Sequence, residues 1–274
     1  MYKASISLDL SCPNRDGSKG TGGCIFCSKG GSGEFSASGD SVKDQIERAV
    51  SQVRSKAGSD AGYIAYFQSF TGTYCSAGYL ERVLDEASSC EGIEAISVAT
   101  RPDCLGPDIL AVLENLAAGI PLFVELGLQT SSDETAVLIN RCYKTGEYIS
   151  AVKALKAIGA NVITHIIFGL PGEDKDMMKD TVRTAVDAGS DGYKFTCLYV
   201  LKDTALEKMY LNKEVEILEM EEYFDIVEEA VKLLPDDAVV HRFTGDGPKS
   251  ILLAPEWTKN KRQVVNYINR RFGL

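Results

Sequence analysis

Three cysteines in one glycine-rich run carry the strongest chemical signal in this chain of 274 residues. Cys12, Cys24 and Cys27 lie within the stretch 11–35, with eleven residues between the first two and two between the second and third. Thiolates are soft ligands that suit zinc and iron–sulfur clusters. Gly20, Gly22 and Gly23 permit the positive φ angles that wrapping a loop round a metal centre requires. Three cysteines with no histidine beside them are one ligand short of a closed structural zinc site. On a [4Fe–4S] cluster, three thiolates leave one iron open to a substrate or cofactor. Two other readings stay open on these residues alone. One is zinc with a distant fourth ligand; the other is a redox Cys-x-x-Cys, which normally opens a helix in a thioredoxin-like fold.

The loop needs elements to hold it. A first strand is expected over 4–10, running straight into the cysteines. Apolar positions at helical spacing then alternate with short apolar runs. Strands are expected over 62–67, 95–99, 121–128, 161–168 and 192–200. Helices are expected over 42–56, 77–89, 107–118, 132–139, 147–158 and 174–188. Six strand–loop–helix units predict an α/β fold with a parallel sheet and right-handed crossovers, rolled into a partial (β/α)6 TIM-like barrel. The polar and glycine-rich turns fall just after strands, the end of a barrel where chemistry occurs. Beyond residue 200 the pattern changes: 206–218 is charged and irregular, 220–234 an acidic amphipathic helix, 239–243 a strand and 259–272 a terminal helix. The expected division is a core barrel over 1–200 and a C-terminal extension over 201–274 packed on it, with a possible role in covering substrate.

Composition narrows the class. The net charge of −10 argues against a broad basic surface for nucleic acid, although Lys259, Lys261, Arg262, Arg270 and Arg271 form a local basic cluster. That cluster reads equally as the solvated face of a terminal helix. Eight cysteines in a long chain without a secretion signal favour free thiols and metal ligands over disulfides. No signal peptide and no apolar run of membrane-spanning length is found, so a cytoplasmic protein is expected.

The cysteine loop, Cys12-Pro13-Asn14-Arg15-Asp16-Gly17 through Gly22-Gly23-Cys24-Ile25-Phe26-Cys27, resembles that of radical S-adenosylmethionine (SAM) enzymes. The resemblance extends through Tyr66-Phe67-Gln68, Thr100-Arg101-Pro102-Asp103-Cys104, Glu125 to Thr130, Ile139-Asn140-Arg141 and Gly169-Leu170-Pro171-Gly172-Glu173. It continues over His241 to Lys249. The chain is most similar to a small radical SAM family that shares a core with the Elongator catalytic subunit and the oxygen-independent coproporphyrinogen oxidases. Two features depart from the superfamily pattern: the long gap between the first two cysteines, and Gln68-Ser69-Phe70-Thr71-Gly72-Thr73 in place of a Gly-Gly-Glu-like motif. The chain also begins closer to its first cysteine than such relatives do, which raises the expectation of a missing N-terminal segment or a misassigned start.

The resemblance implies a [4Fe–4S] cluster on Cys12, Cys24 and Cys27, whose open iron chelates SAM. One electron would cleave SAM to methionine and a 5′-deoxyadenosyl radical that abstracts hydrogen from substrate. It also implies a one-electron donor such as a flavodoxin or ferredoxin. By position, Gln68, Ser69 and Thr71 are expected near the methionine amino group and Arg141 on the carboxylate. Gln129 and His165 are expected at the ribose, Gly169 and Tyr199 round the adenine, and Phe26 over the cluster. Blander roles remain: Arg141 as a surface residue at a helix end, Gln129 as a partner for backbone groups, His165 as a satisfied core histidine, Glu125 as a barrel-bottom ion pair. Cys104 and Cys197 follow strands and are weak candidates for a hydrogen-atom donor or adduct site, with structural roles the competing reading. Kinship points to tRNA wobble uridine as substrate. A small metabolite or a peptide is the alternative, and a non-catalytic iron–sulfur or zinc module that binds a partner is a further one.

Overall fold

The computed structural model describes residues 1–31, 36, 41–57 and 61–273. The tail of the cysteine-rich stretch, 32–35, lies outside the described residues. Six parallel strands follow one another in the sheet: β1 (Tyr2–Ile6), β2 (Tyr63–Phe67), β3 (Ile93–Thr100), β4 (Leu122–Gln129), β5 (Asn161–Phe168) and β6 (Gly192–Cys197). Between them run α1 (Val42–Ala57), α2 (Ala77–Ser88), α3 (Pro107–Ala117), α4 (Asp133–Leu138), α5 (Thr145–Ala157) and α6 (Lys175–Ala188). Beyond β6 come β7 (Val200–Leu201), α7 (Ala205–Leu211), α8 (Met220–Val231), β8 (Val239–Arg242), β9 (Leu252–Ala254) and α9 (Lys261–Phe272).

The sheet has seven strands, not six, in the order β1-β2-β3-β4-β5-β6-β8. β8 pairs in parallel with β6, Lys194 facing Arg242. The C-terminal extension therefore supplies the last strand of the sheet. The sixth strand also stops earlier than expected, at Cys197, and β7 then leaves the main sheet to pair antiparallel with β9. The sheet is curled into a half-barrel, in keeping with the partial TIM-like barrel read from the sequence.

Alternation along the strands separates two surfaces. On β4, Leu122, Val124, Leu126 and Leu128 join the core beneath the helices. Glu125, Gly127 and Gln129 point to the concave side, as the period of two requires. The strands are thus apolar on the helix side and polar within, rather than apolar throughout. Helix starts follow from local chemistry: Ser76, Ser132, Asp174 and Thr204 each accept a backbone N–H at the first turn of the helix they precede. In the extension, α8 buries Tyr223, Phe224 and Ile226. Phe224 meets Trp257 and Tyr267 at ring-centroid distances of 5.9 and 5.1 Å. Among the described residues no helix is long and apolar enough to cross a membrane.

Candidate active site

The cysteine loop leaves the C-terminal end of β1 and is bound in place by groups from three other regions. Within the loop, Arg15 N–H donates to the Cys12 carbonyl at 2.8 Å, Gly23 N–H to Asn14 at 2.8 Å and Cys27 N–H to Cys24 at 2.9 Å. Gly22 and Gly23 both have φ of +79°, a conformation open to glycine at little cost. A Cβ at Gly20 would lie 2.3 Å from Asn14 Oδ1 and 2.8 Å from Cys142 Sγ, so no larger residue fits there. From the turn after α4, Asn140 Nδ2 donates to the carbonyls of Thr21 at 3.2 Å and Gly23 at 2.8 Å, while Asn14 Nδ2 donates back to the Asn140 carbonyl. Ile25 N–H bonds Ile139 O at 3.1 Å, and Leu206 N–H, in α7, bonds Ile25 O at 2.9 Å. Ile25 and Phe26 pack against the apolar cluster that contains Ile139, Leu170, Leu198 and Leu206.

The three thiols share one electrostatic environment. Burial pushes the Cys24 thiol up to about 12; the neighbouring Cys27 and Cys12 add to this, and the Arg101 cation opposes them. Arg101 Nη1 lies 4.0 Å from Cys12 Sγ and donates to Arg141 O at 3.1 Å. Its other two nitrogens fork onto Asp103 at 2.9 and 2.8 Å. Thiols crowded in this way resist ionising together unless a cationic metal centre supplies the opposing charge. Among the described residues no three His, Cys, Asp or Glu side chains converge on a point that one metal ion could occupy. Three thiols in one loop are the donor set that an iron–sulfur cluster takes.

The strand ends form a rim beside the loop. Thr71 is buried, and its Oγ1 has no hydrogen-bond partner among the described residues. Burying a hydroxyl unpaired is costly, so this one is suited to a ligand. Ser69 Oγ is bound to Ser7 Oγ at 2.5 Å, and Gln68 N–H to Ile6 O at 3.2 Å. Gln129 has φ of +59°, and its Oε1 accepts from Tyr143 OH at 2.8 Å. Gly169 has φ of +85° with Leu218 packed 3.0 Å from its Cβ position. The Tyr199 hydroxyl donates to Gly245 O.

Arg141 is wholly buried. Its guanidinium donates to the carbonyls of Leu128 at 2.5 Å, Thr130 at 2.6 Å and Tyr143 at 3.1 Å, and to Thr145 Oγ1 at 3.2 Å. It ties the end of β4 to the start of α5 and is not a surface residue. Cys104 lines a cleft of about 400 Å³ with Pro13, Tyr74, Cys75 and Asp103, its thiol pushed up to about 12 by burial and then by Asp103. Cys197 lies in the main core, 1% exposed, and so does not reach the concave side.

His165 sits in the middle of β5, not at its end. Its Nε2 is 2.9 Å from Glu125 Oε2. Glu125, mid-strand in β4 and 1% exposed, also accepts from Tyr66 OH at 2.7 Å, Ser97 Oγ at 3.2 Å, and the ammoniums of Lys3 and Lys194. Burial alone would raise the Glu125 carboxyl, but the His165 bond and the Lys194 and Lys3 charges outweigh it and hold it well below the usual range. Burial, then Lys194, hold His165 down at about 4. A neutral imidazole against an ionised carboxylate must donate from Nε2, which leaves Nδ1 as an acceptor.

A Radical SAM superfamily sequence model matches residues 17–185, and a Radical_SAM C-terminal domain model matches 190–273. The chain is 38% identical over 271 residues to an uncharacterised protein, YtqA, of Bacillus subtilis strain 168, covering 98% of this chain and 84% of that protein. The chain belongs to the radical SAM superfamily. Among solved structures, Elp3 of Methanocaldococcus infernus superposes with a TM-score of 0.70 at 21% identity, over 84% of this chain and 59% of that one. A Methanocaldococcus jannaschii protein named tRNA uridine(34) acetyltransferase is 26% identical over 183 residues, 66% of this chain and 33% of its own length.

For a radical SAM enzyme, membership implies a [4Fe–4S] cluster, SAM and an electron donor. The residues present fit the first two: three thiols on one loop, Cys24 buried among them, and an unpartnered buried hydroxyl at Thr71 after the next strand. Reading the sequence missed the groups that hold this radical SAM site in shape. Asn14, Asn140 and Arg101 lie inside the motifs singled out, yet their partners are 40 to 126 residues away, and no local periodicity reveals such pairing. Lys3, Tyr66 and Lys194 were more accessible: polar residues at inward positions of three strands, readable once the alternation is assigned.

Proposed function

We propose that this enzyme binds its cluster through Cys12, Cys24 and Cys27, binds SAM along the rim of Gln68, Thr71, Gln129 and Gly169, and modifies a wobble uridine of tRNA. The observation that carries the site is the meeting of the three-thiol loop with the orphaned Thr71 hydroxyl at the C-terminal ends of the strands. The substrate rests on the partial likeness to a relative named for uridine 34 of tRNA.

When bound, the cluster supplies one electron for reductive cleavage of SAM and thereby hydrogen abstraction from a substrate carbon. The chain's own residues do the rest. Thr71 Oγ1 offers a hydrogen bond to the SAM amino group, with Ser69 fixed behind it by Ser7. The Gln129 carboxamide, held by Tyr143, presents its Nε2 as a donor to the ribose hydroxyls. Arg141 braces the carbonyls of Leu128 and Thr130 so that the Gln129 backbone keeps its left-handed turn. Phe26 and Ile25 close the loop against α7 and limit water at the thiols. Gly169 and Tyr199 shape the adenine end. A small flavoprotein or ferredoxin serves as electron donor.

Two measurements test this. Protein purified without oxygen should hold iron and sulfide and convert SAM to 5′-deoxyadenosine under reduction; Cys24→Ser and Cys27→Ser should lose both. A colourless zinc protein without SAM cleavage overturns the cluster assignment. Mass spectrometry of nucleosides from tRNA of cells with and without the gene should show a wobble-uridine derivative that depends on it. Identical profiles overturn the tRNA assignment in favour of a small metabolite or a peptide.

A further inference from the structure

We propose that Lys3, Lys194 and Arg242, gathered round Glu125 on the concave face of the half-barrel, form a receptor for an oxyanion of the substrate. This deepens the proposed function and rests on it for the reaction served; the receptor itself stands on the geometry below.

The three cations come from three strands. Lys3 on β1 and Lys194 on β6 both reach Glu125 on β4, and their ammoniums lie 4.2 and 4.9 Å from the centre of the Tyr66 ring. Arg242 on β8 is the register partner of Lys194, and the pairing slips by one residue at His241, so His241 and Arg242 do not alternate and the Arg242 charge acts on Lys194 and His165. It has no hydrogen bond or ion pair among the described residues. Two ammoniums thus hold one carboxylate while a third cation, Arg242, faces the same space beside Lys194, inside a protein whose net charge is −10. A purely structural ion pair would need one cation, since unmatched charge in a half-buried site is costly.

The site is also reachable. The side chains of Lys3 and His165 are each 31% exposed, and His241 beside Arg242 is exposed on the same face, its ring edge-on to Phe123 at 6.5 Å. The position suits a substrate. Tyr66 is two residues before Gln68, and Glu125 and His165 are each four before Gln129 and Gly169, so the cations lie ~7–13 Å below the rim assigned to SAM. An anionic group held there leaves the remainder of the substrate pointing toward the rim.

Two chemistries supply such an oxyanion, the phosphoester of a nucleotide and a carboxylate, and the test separates them. Titration calorimetry on the anaerobic, cluster-loaded protein uses inorganic phosphate in one arm and acetate in the other. Saturable binding of either supports the receptor, phosphate alone assigning a phosphoester and acetate alone a carboxylate. Arg242→Gln, at the sheet edge, and Lys3→Ala, part-exposed, should each weaken that binding about tenfold or more, with iron content and circular dichroism reporting that the variants fold. Absence of saturable binding of both probes to the wild type, or unchanged binding in both folded variants, overturns the proposal. Failure of the reaction reading shows elsewhere, as a wild type that makes no 5′-deoxyadenosine while still binding the anion.

Discussion

Replacing Arg141 by lysine tests whether that residue serves the chain or the cofactor. The guanidinium holds three backbone carbonyls and one hydroxyl from positions spread between Leu128 and Thr145. Lysine keeps the charge but loses the planar fork, so at least two of those carbonyls are left short of a donor in a buried site. Each unsatisfied buried acceptor costs ~1–3 kcal/mol, giving about 2–6 kcal/mol for Arg141→Lys. For a chain of this size each kcal/mol moves the melting temperature by ~2–4 °C. Scanning calorimetry of cluster-free protein should therefore show a drop of several degrees at the least. SAM affinity in the cluster-loaded variant should fall only as far as the loosened Gln129 turn allows. An unchanged melting temperature with SAM binding weakened by about tenfold or more would refute the reasoning and assign the guanidinium to the SAM carboxylate.

Two other outcomes follow from the geometry. Gly127→Ala places a methyl 2.4 Å from Gln129 Nε2 and 3.2 Å from Tyr143 OH; it should displace the carboxamide, cost about 1 kcal/mol for the lost hydrogen bond and weaken SAM binding ~5-fold while the fold persists. Unaltered SAM affinity would exclude Gln129 from the cofactor site. Burial pulls the Lys194 ammonium down to about 7 from its ordinary 10.5, against the pull of Glu125 and with the help of Lys3 and Arg242. Between those values the unfolded chain holds more of this proton than the folded one, so stability rises with pH across that window by at most about 1.4 kcal/mol per pH unit. Urea melts at pH 7 and 9 should show the wild type gaining on Lys194→Met; a difference that is flat with pH counts against a depressed Lys194. Tyr66, Ser97, Glu125, His165, His241 and Arg242 face the same space, and Glu125 and the two histidines titrate below this window.

How much of this was legible in the sequence depended on the range of the interaction. The sheet order followed from alternating strands and helices, because crossover handedness leaves few choices. The strand at Val239–Arg242 was legible but its place in the main sheet was not, because so short a segment reads identically whether it joins that sheet or a separate extension. The cysteine loop announced its chemistry by composition alone. Arg141 did not: a buried arginine and an exposed one have the same local sequence, and only the carbonyls of Leu128 and Thr130, more than ten residues away, distinguish them. His165 was expected near a strand end, but the register of β5 against β4 places it level with Gly127 and within reach of Glu125. Pairing across the barrel interior sums contributions from five strands, and that sum is visible only after closure.

The same closure makes the extension inseparable from the chemistry. Its α7 supplies the Leu206 N–H that holds Ile25, the residue next to Cys24. Its β8 supplies Arg242, alongside Lys194 in the barrel interior. The two contacts lie at opposite ends of the concave face, one at the thiols and one below the strand ends. A sequence boundary near residue 200 therefore divides the cluster loop from one of its anchors and the cationic interior from one of its three charges. The half-barrel provides the strands, but the segment after it supplies a backbone anchor for the cysteine loop and the arginine beside Lys194. The α7 contact belongs to the small apolar cluster of Ile139, Leu170, Leu198 and Leu206, and the β8 contact to the main sheet, so the segment after residue 200 is anchored to the half-barrel at two separate places.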